Sequence, residues 1–271
     1  MLAKAPVTAL IGCVVITIYL LVALFAPLIA PYHESAVVSD QAFAMWSSEF
    51  LLGTDQLGRD MFSRLIYGAR NTMGLAIATT MLSFFTGATL GILAANFGGW
   101  FDQVFSRVVD TMMSIPSVIS ALILLSIFGS SLINLVVIIA LLDSTRVFRL
   151  TRAVAINVTV TDFVEAARLR GEKTFWILRR EILPNIAPTL VAEFGLRFCF
   201  VFLSISALSF LGIGIQPPTA DWGSMVRENA TLISYGDITP LLPAGAIALL
   251  TIAVNFVVDW FLDLSSGIRD E

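Results

Sequence analysis

Two ionisable side chains four residues apart, Glu193 and Arg197, sit inside an otherwise apolar run of this 271-residue chain. On a helix that spacing places both on one face, where they can pair. In an apolar solvent the chemistry open to them is a structural ion pair, a network facing a bundle interior, a contact to a charged solute, or proton carriage through Glu193. A second group, Glu165-Ala166-Ala167-Arg168-Leu169-Arg170-Gly171, is polar and helical in pattern and offers docking rather than catalysis. Metal and nucleophile chemistry find little here. His33 is the single histidine, and Cys13 and Cys199 lie in separate apolar runs, so neither a metal set nor a disulfide framework is spaced along the chain. No G-x-x-x-x-G-K-[ST] phosphate cradle occurs, so this chain is expected to hold no ATP by that route, no metal and no catalytic residue.

The elements that must position these groups follow from composition. Apolar residues make up 57% and charged residues 13%, and the mean hydropathy is +0.88, well away from the balance of a soluble domain. The expected class is an all-α integral membrane protein, a single transmembrane domain over 1–271. A formal charge of −4 is a poor basis for nucleic-acid binding, which needs clustered cations. About 20 apolar helical residues cross a bilayer, which predicts six spans near 7–30, 71–97, 108–128, 130–146, 185–213 and 239–262. The third and fourth are separated only by Gly129, Ser130 and Ser131, and Pro116 interrupts the third; one helix over 108–142 would run about 50 Å, too long for the hydrocarbon layer.

Cations set the expected orientation. Eight of the sixteen Lys and Arg fall from Arg146, at the end of the fourth span, to Arg180, and the positive-inside rule puts the 147–184 loop in the cytoplasm. Both termini, with Lys4 and Arg269, then lie inside as well, and the 31–70 segment lies outside. The first span is expected to be an uncleaved anchor, since its apolar run exceeds a signal-peptide h-region. In the outer segment, Leu51, Leu52, Leu57, Met61, Phe62, Leu65 and Ile66 alternate with Asp55, Arg59, Asp60 and Arg64, which predicts an amphipathic helix resting on the membrane surface. Asp110, Asp143, Asn255 and Asp259 are expected near hydrated span ends, and Gly87 and Gly91 allow close helix approach.

The cytoplasmic loop carries its own punctuation. Thr161 and Asp162 supply an N-cap with Glu165 three residues beyond Asp162, and Gly171 supplies the stop. Thr174 is expected to cap a second helix running towards Leu183 and Pro184. Phe163 and Leu169 offer apolar anchors, while Ala166 and Ala167 leave one side flat enough for another protein to approach, as in helix-in-groove docking. An amphipathic loop resting on headgroups fits the same residues.

Glu165-Ala166-Ala167, Gly171 and Leu183-Pro184 resemble the E-A-A-x-x-x-G … L-P signature of permease subunits of binding-protein-dependent ABC importers. Leu52-Gly53-Thr54-Asp55-Gln56-Leu57-Gly58-Arg59-Asp60, Ser114-Ile115-Pro116, Leu208 to Gly212 and Gln216-Pro217-Pro218 are similar to the dipeptide, oligopeptide and nickel branch of that family, in particular its C-type partner. One departure is visible: the general signature has Ile where this chain has Glu181, with Ile182 next. The resemblance implies a type I importer permease fold with a cytoplasmic coupling helix, in a bacterial inner membrane. It implies no catalysis in this chain, with ATP and Mg bound by two ATP-binding cassette subunits that grip the helix around Glu165 to Gly171. The other implied partners are a second homologous permease subunit, a periplasmic solute-binding protein and membrane lipids. The implied cargo is a peptide or peptide-like solute; nickel complexes, glutathione, opines and sugar-containing conjugates occur in the same branch. An ion-gradient-driven transporter or channel is the rival class, which hydropathy suits equally but which leaves a capped docking helix unexplained; a membrane-anchored scaffold is a third.

Overall fold

In the computed structural model, residues 6–266 are described, and among them every regular element is a helix, with an irregular segment over 30–60. The principal helices are α1 (Val7–Leu24), α3 (Met61–Phe97), α4 (Gly99–Met113), α5 (Ser117–Phe128), α6 (Leu132–Thr159), α9 (Leu183–Phe210) and α11 (Leu241–Ser266). Short helices α2 (Ala26–Ile29), α7 (Asp162–Leu169), α8 (Thr174–Ile177) and α10 (Trp222–Asn229) join them. Lys4 and Arg269, on which part of the orientation reading leans, lie outside the described residues.

Four helical stretches are long and apolar enough to cross a membrane: Val7–Leu24, Met61–Phe97, Thr174–Phe210 and Leu241–Leu264. The α4–α5 pair, bent by 88°, makes a fifth if it is one broken span. Where a single helix was expected over 108–128, the chain therefore breaks at 114–116. Pro116 has no N–H to donate and disfavours helical geometry in the residue before it, and the chain restarts as α5 at Ser117. The 28-residue α6 falls short of that apolar standard because it carries Asp143, Arg146, Arg149 and Arg152; it runs on well past residue 146.

Close approach rather than bulk apolarity assembles these helices. Lipid tails are as apolar as leucine, so association in a bilayer depends on shape fit and small residues. A Cβ added at Gly87 would stand 2.5 Å from the Ser144 carbonyl oxygen and 2.7 Å from Val147 Cβ; one added at Gly91 would stand 2.9 Å from the Phe148 carbonyl oxygen. These two glycines, one turn apart on α3, seat it directly on the backbone of α6. Gly87→Ile is therefore expected to cost about 2–3 kcal/mol by overpacking, read as a lowered denaturation midpoint in detergent; an unchanged midpoint would show that α3 and α6 do not meet this way. The core around that seam holds Leu135, Ile138 and Ile139 of α6, Met73 and Ala76 of α3, and Phe198, Phe202 and Ile205 of α9.

The segment before α3 corrects one expectation. No helix spans 51–66; the helix begins at Met61, capped by Asp60, whose carboxylate accepts from Ser63 N–H at 2.8 Å. Asp55, Arg59, Asp60 and Arg64 do not face headgroups: all four are buried, at 0 to 3% exposure. A helical period cannot tell a polar stripe facing solvent from one facing an internal partner, and here the partner is Glu228 of α10.

Candidate functional site

Three polar constellations stand along the bundle. The first is α7 and its seat. Thr161 occupies the N-cap position in extended geometry, φ −81° and ψ 151°, and makes no side-chain cap bond. Asp162 is instead the first helical residue, and with Glu165 it places negative charge in the first turn, where the helix dipole favours it. The helix ends in a pair of reverse-turn bonds, Glu172 N–H to the Ala167 carbonyl at 3.2 Å and Gly171 N–H to the Arg168 carbonyl at 2.9 Å. This geometry requires the left-handed φ of +80° that Gly171 adopts.

Burial divides the predicted docking residues. Val164 and Ala167 are fully buried against Ala155 of α6 and Ile177, Ile182 and Ile186 at the entry to α9. Ala167 is thus not an open flat surface but the contact that fastens α7 to its own bundle. Phe163 (42% exposed) and Leu169 (83%) face outward, with Glu165 exposed beside them and Ala166 half-buried. Leu183 and Pro184 are exposed and lie outside the cluster under α7. Thr174 is the first residue of α8 rather than its cap, and that helix does not end before Pro184: it passes through a π turn, Leu178–Ile182, straight into α9. A π turn holds one residue more than an α turn. Within this turn Ile182 reaches the α7 seat at 0% exposure while Glu181 stays at the edge.

The second constellation lies halfway along the bundle. Arg197 Nε lies 2.8 Å from Glu193 Oε1, though off hydrogen-bond alignment, and Arg197 Nη1 lies 3.5 Å from Asp143 Oδ1. Asp143 also accepts from Ser83 Oγ at 2.9 Å and has Arg146 Nη1 at 3.8 Å. The Arg197 guanidinium sits 4.6 Å above the Phe200 ring. Asp143 does not lie at a hydrated span end, as its position in the sequence suggested. It is buried where α3, α6 and α9 meet, and joins the Glu193–Arg197 pair into one network across three helices.

The third constellation closes the opposite end from α7. Arg59 donates to Asp55 at 2.6 Å, and Arg59 and Arg64 each reach Glu228 at 3.2 Å. Glu34 accepts from Asn71 at 2.8 Å and from the Ala220 N–H at 2.7 Å. Asp221 caps α10 through the Ser224 N–H at 2.8 Å and accepts from Thr72 at 2.9 Å; burial nonetheless pushes its carboxyl above the ordinary range. Trp222 packs on Gly68 and donates to the Leu65 carbonyl at 2.9 Å. This end of α3 is about 40 Å from Ile92, which borders the α7 seat, at 1.5 Å per residue. Sequence reasoning quoted Leu52 to Asp60 as a motif but missed Glu228, 169 residues from Arg59.

A helical membrane protein with a short surface helix braced against two long ones, and a charged network between three helices, has the build of a transport permease. The chain belongs to the family of binding-protein-dependent transport system inner membrane components, which matches residues 87–266. Residues 7–47 match the N-terminal transmembrane domain of oligopeptide transport permease C. The dipeptide transport system permease protein DppC of Alkalihalophilus pseudofirmus is 32% identical over 97% of this chain and 84% of its own length. The di/tripeptide transport system permease protein DppC of Pseudomonas aeruginosa is 35% identical over 97% and 86%, and the glutathione transport system permease protein GsiD of Pectobacterium atrosepticum 32% over 92% and 81%. A chain of the inward-facing MetNI methionine ABC transporter shares the fold, with a TM-score of 0.57 at 19% identity over 74% of this chain and 97% of that one. These findings support an ABC importer permease over a gradient-driven transporter.

Proposed function

We propose that this chain is one of two homologous permease subunits of an importer that takes peptides from a periplasmic binding protein and moves them across the bacterial inner membrane. Two ATPase subunits, which bind ATP and Mg, would seat on α7 in the cytoplasm, leaving both chain termini on that side. The observation that carries this reading is the mounting of α7. Val164 and Ala167 are buried in the end of α6 and the entry to α9, while Phe163 and Leu169 remain outside. A push on the outer face of α7 is therefore delivered to α6 and α9, the helices that hold Asp143 and Arg197. Peptide cargo is favoured by the names of the relatives, two dipeptide or di/tripeptide permeases and one glutathione permease.

The test is reconstitution of the chain with its partner permease, the ATPase pair and the binding protein in vesicles. ATP-dependent accumulation of a tripeptide, abolished by omitting either the ATPase subunits or the binding protein, is the expected result. Accumulation driven by an ion gradient without ATP would overturn it.

A further inference from the structure

Arg146 is a guanidinium midway along α6 with little to hold it. It is the fifteenth of the 28 residues of α6, level with the middle of the helix. Its side chain is 42% exposed, its contact to Asp143 is long at 3.8 Å, and its hydrogen bond to Ser117 Oγ is 3.4 Å. Arg197, by contrast, is enclosed at 11% and lies against both Glu193 and Asp143. An arginine has five N–H donors in a planar fork that matches a carboxylate, and Arg146 leaves most of that capacity uncommitted. Ionisable residues in a membrane bundle face its interior or a water-filled cavity, where they pair with one another or mark a solute pathway.

The surroundings give that capacity a place to act. Arg146 stands where two crevices adjoin. One is bounded by Ser117, Ala121, Asp143 and Ser204, the other by Met113, Pro116 and Thr145. The 88° break between α4 and α5 brings Ser117 there. The first turn of α5 starts at the same wall, adding the partial positive charge of its N–H groups to the guanidinium.

We infer that Arg146, with Ser117 beside it, is a carboxylate subsite on the transport route, taking the C-terminal carboxylate of a peptide cargo. Asp143 stands behind the guanidinium at 3.8 Å, and Ser117 supplies a neighbouring hydroxyl. The inference rests on the peptide-importer reading and adds to it the group on the cargo that the permease itself reads.

Trialanine and its C-terminal amide separate the two levels. Binding of each to the purified binding protein is measured first, so that uptake by the reconstituted complex can be compared at equal occupancy. The wild-type complex is expected to take up the free acid about tenfold faster than the amide, the scale of one charge-assisted hydrogen bond. Arg146→Gln should collapse that preference to near one while the four-subunit complex still copurifies, and Arg146→Lys should keep most of it. A preference that persists in Arg146→Gln, or equal uptake of acid and amide by the wild type, overturns the subsite while leaving the importer intact. Loss of the partner permease from the Arg146→Gln preparation assigns the side chain to subunit pairing instead. Absence of ATP-dependent uptake of either compound sinks the peptide reading itself, and this subsite with it.

Discussion

Arg197→Ala is expected to destabilise the folded permease by about 3 kcal/mol, because removing one partner of an enclosed ion pair leaves the other charge without compensation. Asp143 would keep Ser83 Oγ at 2.9 Å and the distant Arg146, whereas Glu193 would lose its 2.8 Å neighbour. The loss should be visible as reduced yield from membranes and an earlier unfolding midpoint in detergent. Adding Glu193→Gln to an Arg197→Met background removes the stranded charge and is expected to recover more than half of the deficit. A loss below about 1 kcal/mol for Arg197→Ala, the scale of an exposed pair, would mean that water reaches the network and that it does not bind α3, α6 and α9 together.

Gly171→Leu is expected to lower ATP-dependent uptake about tenfold at an unchanged amount of protein in the membrane. A Cβ at this position meets nothing within 4 Å, so the substitution crowds no neighbour. Its cost is conformational: leucine at φ +80° is disfavoured by roughly 1–2 kcal/mol, enough to shift a local equilibrium about 5–30-fold. The conformer lost is the one in which Ala167 and Arg168 receive the two closing bonds, and with it the fixed posture of α7. Gly171→Asn, which tolerates left-handed geometry, should retain most uptake. Uptake within twofold of wild type for the leucine variant would remove the terminating turn from the mechanism.

What was legible beforehand, and what was not, divides along sequence distance. The α7 element could be read locally, since its acidic first turn, its glycine stop and its apolar anchors all lie within eleven residues; the cap was left between Thr161 and Asp162, both competent, and geometry chooses Thr161. The α4–α5 break was signalled by Pro116, though proline alone gives neither the 88° bend nor the arginine it brings close. Asp143 was misread because hydropathy locates a charge along the chain and not its angular position; the side chain turns inward to Ser83, sixty residues away. The cluster of Asp55, Arg59, Arg64 and Glu228 was out of reach for the same reason, and its amphipathic spacing imitated a surface helix. The departure at Glu181 and Ile182 was visible in the sequence, but the π turn that holds both is a backbone device with no residue signature of its own.

The claim on which the account turns is that an ATPase subunit sits on the outward face of α7. Leu169, 83% exposed at the tip of that helix, is the place to ask. In the assembled transporter carrying Leu169→Cys, with single cysteines introduced across the partner ATPase surface, a short cross-linker is expected to join the two subunits in high yield, and peptide uptake should stop when it does. A tip that stays uncoupled from every ATPase cysteine, with and without ATP, would contradict the account.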